Sequence, residues 1–376
     1  MTTISGDQPV SVPAGAPQGD VLVSVQHVVK HFPVQSTSLR RGAREVVHAV
    51  DDVSLEIRRG ETVGLVGETG CGKSTLARCI TRLYDLTSGT ITFDGEDISS
   101  LSRRRMRPFR REIQMIFQDP YGSLNPRRRV GSIIADPLAI HGMGEGKGRK
   151  DRKLLVQETM ELVGLNPEHY NRFPAEFSGG QRQRIGVARA LILRPKLIVC
   201  DEPVSALDVS IQAQIINLLS DLQKEFGLTY LFIAHDLSIV RHVSDRVAVM
   251  YLGKIIEDAP SRELYNHSRH PYSRALLSAV PIPDPRTAYT RERIILVGDV
   301  PSPIDPPVGC RFHPRCPKAA QQCVDLEPEL IARGDDPVTH ATACHFPVAD
   351  DEDLALARPT ITADQRIVAE PGILSP

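Results

Sequence analysis

Residues 67–74 read Gly67-Glu68-Thr69-Gly70-Cys71-Gly72-Lys73-Ser74, which fits the pattern G-x4-G-K-[ST]. In such a loop the backbone N–H groups wrap phosphate oxygens, and the N-terminus of the helix that follows adds partial positive charge. Lys73 would reach the β- and γ-phosphates, and the Ser74 hydroxyl would ligate Mg²⁺. The pattern needs a strand before it and a helix after it. Thr62–Val66 is a short apolar run that supplies the strand, and Ser74–Leu83 has the character of the helix.

Working outward, Val21–His31 and Val46–Ile57 have strand character, with a basic, Ser/Gly-containing loop between them around Ser36–Arg44. Downstream, Gln181–Leu193 reads as a helix ending before Pro195. Leu197–Cys200 is a second buried strand, and Leu228–Ala234 a third. Ile211, Ile215, Leu218, Leu219 and Leu222 mark one face of a helix between those strands. Arg246–Ile256, with Gly253 between two apolar runs, resembles a hairpin. Strands alternating with helices predict an α/β fold with a mainly parallel sheet. The second strand ends in Asp201-Glu202: Asp201 suits a Mg²⁺-side carboxylate, and Glu202 could polarise an attacking water. By itself such an acidic strand end is common and would read as a solvated pair. The phosphate loop some 130 residues earlier changes that balance.

Of 376 residues, 41% are apolar and 24% charged, ordinary for a globular chain with room for two or three domains. Lys and Arg total 45 against 46 Asp and Glu, so no global field favours nucleic acid or anionic lipid. Arg103–Arg111 is locally basic and reads as a solvated helix rather than a nucleic-acid site. No run reaches the roughly 18 apolar residues of a membrane span, and residues 1–20 lack the apolar core of a secretory signal. They read as a disordered leader, and the Pro-rich segment 349–376 as a tail. A cytoplasmic location is expected, where the 7 cysteines would be reduced and better suited to metal or catalysis than to disulfides.

At Phe177-Ser178-Gly179-Gly180-Gln181 the chain resembles the signature motif of ABC-type ATPases, and the flanking motifs fall in that family's order. Gln118 resembles the Q-loop glutamine, Ser205-Ala206-Leu207-Asp208 the D-loop, and His235 the switch histidine. The resemblance implies a RecA-like P-loop core with an antiparallel β subdomain and a helical subdomain at about 119–195, together spanning 21–260. It implies that ATP is held by Gly67, Glu68, Thr69, Gly70, Cys71, Gly72, Lys73, Ser74 and Thr75, with Phe32 as the adenine-stacking aromatic. Mg²⁺ would sit on Ser74, Gln118 and Asp201; Glu202, His235 and Gln118 would be catalytic. Ser178, Gly179, Gly180 and Gln181 would face the γ-phosphate in the opposite subunit. Read without the family, Ser178 is a helix N-cap, Phe32 a core aromatic and His235 a surface or core histidine.

With one motif set in the chain, a second nucleotide-binding domain must come from another chain. GETGCGKSTLAR, FQDPYGSLNPR, DEPVSALDVSIQAQ, HPYSRALLSAVPIPDP and GCRFHPRCP resemble the F-type ATPase subunits of bacterial dipeptide and oligopeptide importers. That resemblance implies a peripheral subunit on the cytoplasmic face of the membrane. Its partners would be two permeases, a D-type ATPase and an extracytoplasmic binding protein, with 118–178 docking the permeases. A soluble ABC ATPase without a transport role is the competing class. Such chains usually carry two nucleotide domains or a long coiled coil, and neither pattern is visible.

Residues 261–348 are Pro-rich and carry Cys310, Cys316, Cys323 and Cys344. A segment this short builds little core, so a metal staple makes physical sense. The spacing matches neither a zinc ribbon nor a ferredoxin run, and four thiolates would also suit Zn²⁺, with His313, His340 and His345 nearby. Unmetallated thiols are the third reading. The importer resemblance implies a [4Fe–4S] cluster. Cys79 and Cys200 read as small buried apolar residues. Cys71 is given no catalytic role, though its alkylation is expected to obstruct nucleotide binding.

Overall fold

The computed structural model describes residues 20–34, 45–119, 122–143, 149–280, 294–332 and 340–354. The expected leader (save Asp20), the basic loop from 36 to 44, residues 144–148 of the Gly-rich loop, the PIPDP stretch and the tail beyond 354 lie outside those residues.

Two sheets organise the chain. β1 (Val21–Pro33) pairs antiparallel with β2 (Val46–Arg58) and with β4 (Ser88–Phe93), and β5 (Glu96–Asp97) completes a four-stranded sheet of order β2-β1-β4-β5. The larger sheet contains β3 (Thr62–Val66), β6 (Ile113–Ile116), β7 (Leu197–Asp201), β8 (Thr229–Ile233) and β9 (Arg246–Tyr251), all parallel where paired. β10 (Lys254–Pro260) and β11 (Ala341–Thr342) extend it antiparallel, giving the order β11-β10-β9-β3-β8-β7-β6.

The central strands are buried on both faces, and their side chains alternate between two cores as the two-residue period requires. Leu197, Val199, Leu231, Ile233, Ala248 and Met250 pack with the antiparallel sheet and with α1 (Lys73–Ile80), while α2 (Arg107–Glu112) leads directly into β6. Ile198, Cys200, Tyr230, Phe232, Val247 and Val249 face the other way, into a core shared with α3 (Val130–Ile140), α4 (Arg149–Leu162) and α5 (Gly179–Leu191). These three helices occupy the stretch expected to form a helical subdomain.

Several boundaries move. α1 ends at Ile80, not Leu83, because Arg82 takes φ 54° and the Leu83 and Tyr84 amides turn back to the Arg78 carbonyl. α5 starts at Gly179, two residues before Gln181, because Ser178 caps it. In α6 (Val209–Phe226), Ile215, Leu219 and Leu222 are buried, whereas Ile211 and Leu218 are only partly so. β4, β5 and β6 carry no sequence expectation above: β5 is two residues long and β6 four, too short for a period to show.

The segment after residue 260 packs into the main body. β11 adds to the large sheet, and Tyr272, Phe312, Cys316 and Ala319 belong to the same core as α5 and β7. Buried Glu257 on β10 accepts from the Arg269 and His270 amides and pairs with buried His340 at 2.9 Å, fixing the chain just before β11.

Candidate active site

The phosphate loop leaves β3 at Val66 and enters α1 at Lys73, and its glycines are there for stated reasons. Gly67 has φ 148° and a Cβ on it would lie 2.1 Å from the Met250 carbonyl oxygen; Gly72 has φ 109° and would meet the Ala49 oxygen at 2.0 Å. Both positions combine a conformation that L residues rarely adopt with no room for a side chain. Gly72 also caps α1 without any side-chain bond, so the first amides of the helix stay free for a ligand.

Lys73 is 5% exposed, and its Nζ donates to the Gly67 carbonyl at 2.7 Å and the Glu68 carbonyl at 2.9 Å. Its ammonium is thus held across the concave side of the loop. Ser74 Oγ donates to Asp201 Oδ1 at 2.7 Å, joining α1 to the end of β7. Burial raises the Asp201 pKa, against the Ser74 hydrogen bond and the Arg78 charge, and Glu202 raises it further.

Glu202 follows with φ 47°, its amide donating to the Ile233 carbonyl at 3.0 Å. The backbone turn points a largely buried carboxylate at two expected partners. Gln118 Nε2 donates to Glu202 Oε2 at 2.7 Å, and His235 Nδ1 lies 3.4 Å from that same oxygen. Residues 118, 202 and 235, far apart in sequence, therefore meet at one oxygen.

Phe32 lies near the end of β1, its ring edge-on to Tyr84 at 5.4 Å with the Lys30 ammonium 4.8 Å above it. Ser178 and Gln181 form a reciprocal capping box: Gln181 N–H donates to Ser178 Oγ at 3.3 Å and Ser178 N–H to Gln181 Oε1 at 3.1 Å. The Ser178 oxygen accepts within its own helix, which leaves its O–H able to donate to a ligand. Gly180 also has a packing reason, since a Cβ there would lie 2.5 Å from Ile211 Cγ2. In the D-loop, Ser205 Oγ donates back to the Glu202 carbonyl at 3.2 Å, and Asp208 is the N-cap residue of α6. Cys71 is buried with its thiol 3.7 Å from Lys73 Nζ, and burial raises its pKa. Cys79 and Cys200 are fully buried, as expected of small apolar residues.

Residues 50–205 match the family described as "ABC transporter", and residues 256–323 match "Oligopeptide/dipeptide transporter, C-terminal region". The oligopeptide transport ATP-binding protein AppF of Bacillus subtilis (strain 168) is 52% identical over 328 residues, 87% of this chain and 98% of the relative. The chain belongs to the ATP-binding proteins of oligopeptide-type ABC transporters. The corresponding OppF protein of Haemophilus influenzae is 50% identical over 326 residues, covering 86% of this chain and 97% of the relative. Among solved structures, the ATP-binding cassette MJ0796, in a dimeric post-hydrolysis state bound to ADP and Pi, matches with a TM-score of 0.56 at 29% identity. It covers 64% of this chain and 99% of its own.

Cys310, Cys316 and Cys323 of this matched segment, together with Cys344 beyond it, lie around a small enclosed space also lined by His270, Phe312, His313 and His345. Cys316, Cys323 and Cys344 are buried, and burial pushes the Cys310 thiol up to about 12 and the Cys344 thiol to about 11. His313 is fully buried; its Nδ1 lies 2.9 Å from the Cys310 carbonyl oxygen, while its Nε2 has no hydrogen-bond partner.

The sequence reading gives no role to Tyr272 or Arg315, both in contact with Glu68 of the phosphate loop. The available signal was their place in the stretches HPYSRALLSAVPIPDP and GCRFHPRCP.

Proposed function

We propose that the chain binds and hydrolyses ATP on the cytoplasmic face of a membrane to energise uptake of peptides, or of a related solute, through partner permeases. The observation that carries this reading is the convergence of Gln118 and His235 on Glu202, beside the Ser74–Asp201 bond. Lys73 and the α1 amides hold the β- and γ-phosphates. Glu202, held by Gln118, orients a water and takes its proton as the water attacks the γ-phosphorus and ADP leaves. His235 contacts the γ-phosphate from the other side of that water.

Ser74 and Asp201 present oxygen donors side by side, Gln118 lines the same cavity as Asp201, and a divalent cation would offset the cost that burial puts on the Asp201 charge. Mg²⁺ would supply charge neutralisation on the phosphate oxygens. The Gly179 and Gly180 amides and the D-loop would serve the partner's nucleotide, so that closure needs a second ATPase of this type, in the importer family a D-type subunit. Two permeases and an extracytoplasmic binding protein complete the assembly. Among the described residues no helix is long and apolar enough to cross a membrane, which suits a peripheral subunit. A cavity of about 710 Å³ lined by Gln118, Phe117, Pro137 and Ile140 lies where 118–178 meets the core, and suits a permease segment.

The cysteine segment fits a metal group held by thiolates, since Cys310, Cys316, Cys323 and Cys344 line one small enclosed space. Four thiolates would suit a [4Fe–4S] cluster, the group that the resemblance to the importer family implies. Such a group would supply a rigid four-way staple for a Pro-rich segment. Anaerobically purified protein is expected to carry iron and acid-labile sulfide, and the absence of both removes this part of the reading.

Affinity purification of the tagged chain from gently solubilised membranes tests the whole proposal. Two permeases and a second ATPase are expected among the co-purifying subunits. Ribosomal or chromosomal proteins with no permease would leave the ATPase chemistry and remove transport.

A further inference from the structure

Glu68 is an odd residue to find in a loop that must receive a polyphosphate, because its carboxylate would repel the ligand. The structure shows every polar group of Glu68 engaged. Its carbonyl accepts from Lys73 Nζ at 2.9 Å, its amide donates to Tyr272 Oη at 2.9 Å, and its carboxylate accepts from Arg315 Nη1 at 2.9 Å and Nη2 at 3.2 Å. The last is a two-pronged guanidinium–carboxylate pair, the geometry that holds a carboxylate most firmly in both position and charge. The Arg315 side chain is only 9% exposed, so the pair is little screened by solvent.

Arg315 belongs to the five-residue loop between Cys310 and Cys316, and that loop grips the nucleotide-binding body in two further places. Arg311 donates to the Leu252 carbonyl and to Asp51, the carboxylate that also faces His31 and His48 at the end of β1 and start of β2. Phe312 packs edge-on against Tyr251 at 5.3 Å and Tyr272 at 5.4 Å, and Tyr272 is the residue that receives the Glu68 amide. One short loop thus fixes Glu68 by charge through Arg315 and by packing through Phe312 and Tyr272.

We propose that the Cys310–Cys316 loop is a positioning element for the phosphate loop, with Arg315 holding and neutralising the Glu68 carboxylate beside the carbonyl that seats Lys73. It rests on the reading of 67–75 as the nucleotide-binding loop and assigns nucleotide affinity a determinant in the C-terminal segment. Arg315 touches neither phosphate nor water in this account; it acts through Glu68. An ionised Glu68 without its partner adds an uncompensated negative charge beside the polyphosphate, worth on the order of a tenfold loss of affinity at an effective dielectric constant near 20. The linkage is reciprocal: whatever reshapes the cysteine loop changes nucleotide affinity, and nucleotide binding resists that change by the same factor.

The test uses the full 376-residue chain, a fluorescent ATP analogue titrated with Mg²⁺ present, and steady-state hydrolysis. Arg315→Gln is expected to raise the nucleotide Kd and the KM for ATP about tenfold while kcat at saturation stays within about twofold. Adding Glu68→Gln to Arg315→Gln is expected to recover most of the lost affinity, because the repelling charge is gone, and Arg315→Lys to keep affinity within about threefold of wild type. A purely structural role for Arg315 would leave the double variant as weak as the single one or weaker. Unchanged affinity in Arg315→Gln, or no recovery in the double variant, overturns the proposal. Should Arg315→Gln fail to fold by circular dichroism, Tyr272→Phe, which removes the hydroxyl that receives the Glu68 amide, carries the test: a several-fold rise in the nucleotide Kd and the KM for ATP at near-constant kcat is expected, and unchanged values overturn the proposal. Wild-type chain that binds no nucleotide would instead remove the reading of 67–75 on which the clamp depends.

Discussion

The phosphate loop at 67–74 and the cysteine loop at 310–316 are of similar length and touch at Glu68, yet they are shaped by different means. The first is shaped by backbone. Gly67 and Gly72 hold conformations and clearances that a Cβ would violate, and Lys73 is gripped by main-chain carbonyls. The second is shaped by side chains: buried thiols, two arginines reaching carboxylates and a phenylalanine wedged among tyrosines. A backbone-built motif tolerates few residue types and is therefore written in the sequence. A side-chain-built one depends on partners up to 260 positions away, and it is written only in the fold.

The strongest way to sharpen this contrast is chemical. Glu202→Gln keeps the shape of the site and the bond to Gln118 but removes the charge that orients the water. ATP binding is expected to persist while hydrolysis falls by about three orders of magnitude or more, read by radiolabelled phosphate release. Near-normal turnover would remove Glu202 from the water. Next in size is the loop itself. Gly72→Ala puts a Cβ about 2 Å from the Ala49 oxygen at φ 109°. A loss of more than about 3 kcal/mol in stability, with nucleotide binding abolished, is expected from denaturant melts and titration. A mild effect there would break the comparison, for it would mean the backbone shape is dispensable.

On the cysteine side the matching test is pH. His270 is fully buried next to Phe312; its Nδ1 accepts the Tyr272 amide at 3.1 Å, and burial, against the nearby Glu257 charge, holds its pKa down to about 4. A depressed histidine contributes stability that is fully present above its ordinary value near 6.5 and is lost as pH falls toward about 4. The loss amounts to about 3 kcal/mol over that window. Thermal melts at pH 7.5 and 4.5 should show this drop in wild type and a smaller one in His270→Gln, whose side chain can still accept the amide. Equal drops in both would place the acid sensitivity elsewhere.

Much of the nucleotide-binding body was legible because its rules are local. The short apolar runs of β7 and β8, the glycines of the phosphate loop and the Ser178 cap are dictated by neighbours within a few positions. Helix ends were less legible: α1 stops at Ile80 because of a positive φ at Arg82, which the apolar pattern running on to Leu83 does not reveal. The two-residue β5 and four-residue β6 were missed because runs that short show no period, and the six-residue β4 because its first half, Ser88-Gly89-Thr90, carries no apolar residue. The joining of the C-terminal segment to the large sheet was not legible at all. It depends on a two-residue strand, β11, and on the buried Glu257–His340 pair. Glu68 was readable as a loop residue, but its dependence on Arg315 and Tyr272 was not.

The smallest expected effect concerns Phe32, where the two kinds of construction meet. Its ring stands on Tyr84 just beyond the C-terminal end of α1, and any grip on adenine would come from its face alone. Base–aromatic stacking is worth about 1–3 kcal/mol, and at a partly exposed ring the lower end applies. Phe32→Leu removes the π-face and keeps most of the apolar volume, so ATP affinity should fall about fivefold with little change in melting temperature. Phe32→Tyr should keep wild-type affinity. Phosphate-only ligands such as tripolyphosphate should bind all three proteins equally, since they never reach the ring. If Phe32→Leu melts several degrees lower but binds ATP normally, the ring is core packing for Tyr84. The base is then held elsewhere, and the nucleotide site owes its affinity almost wholly to the backbone-built loop.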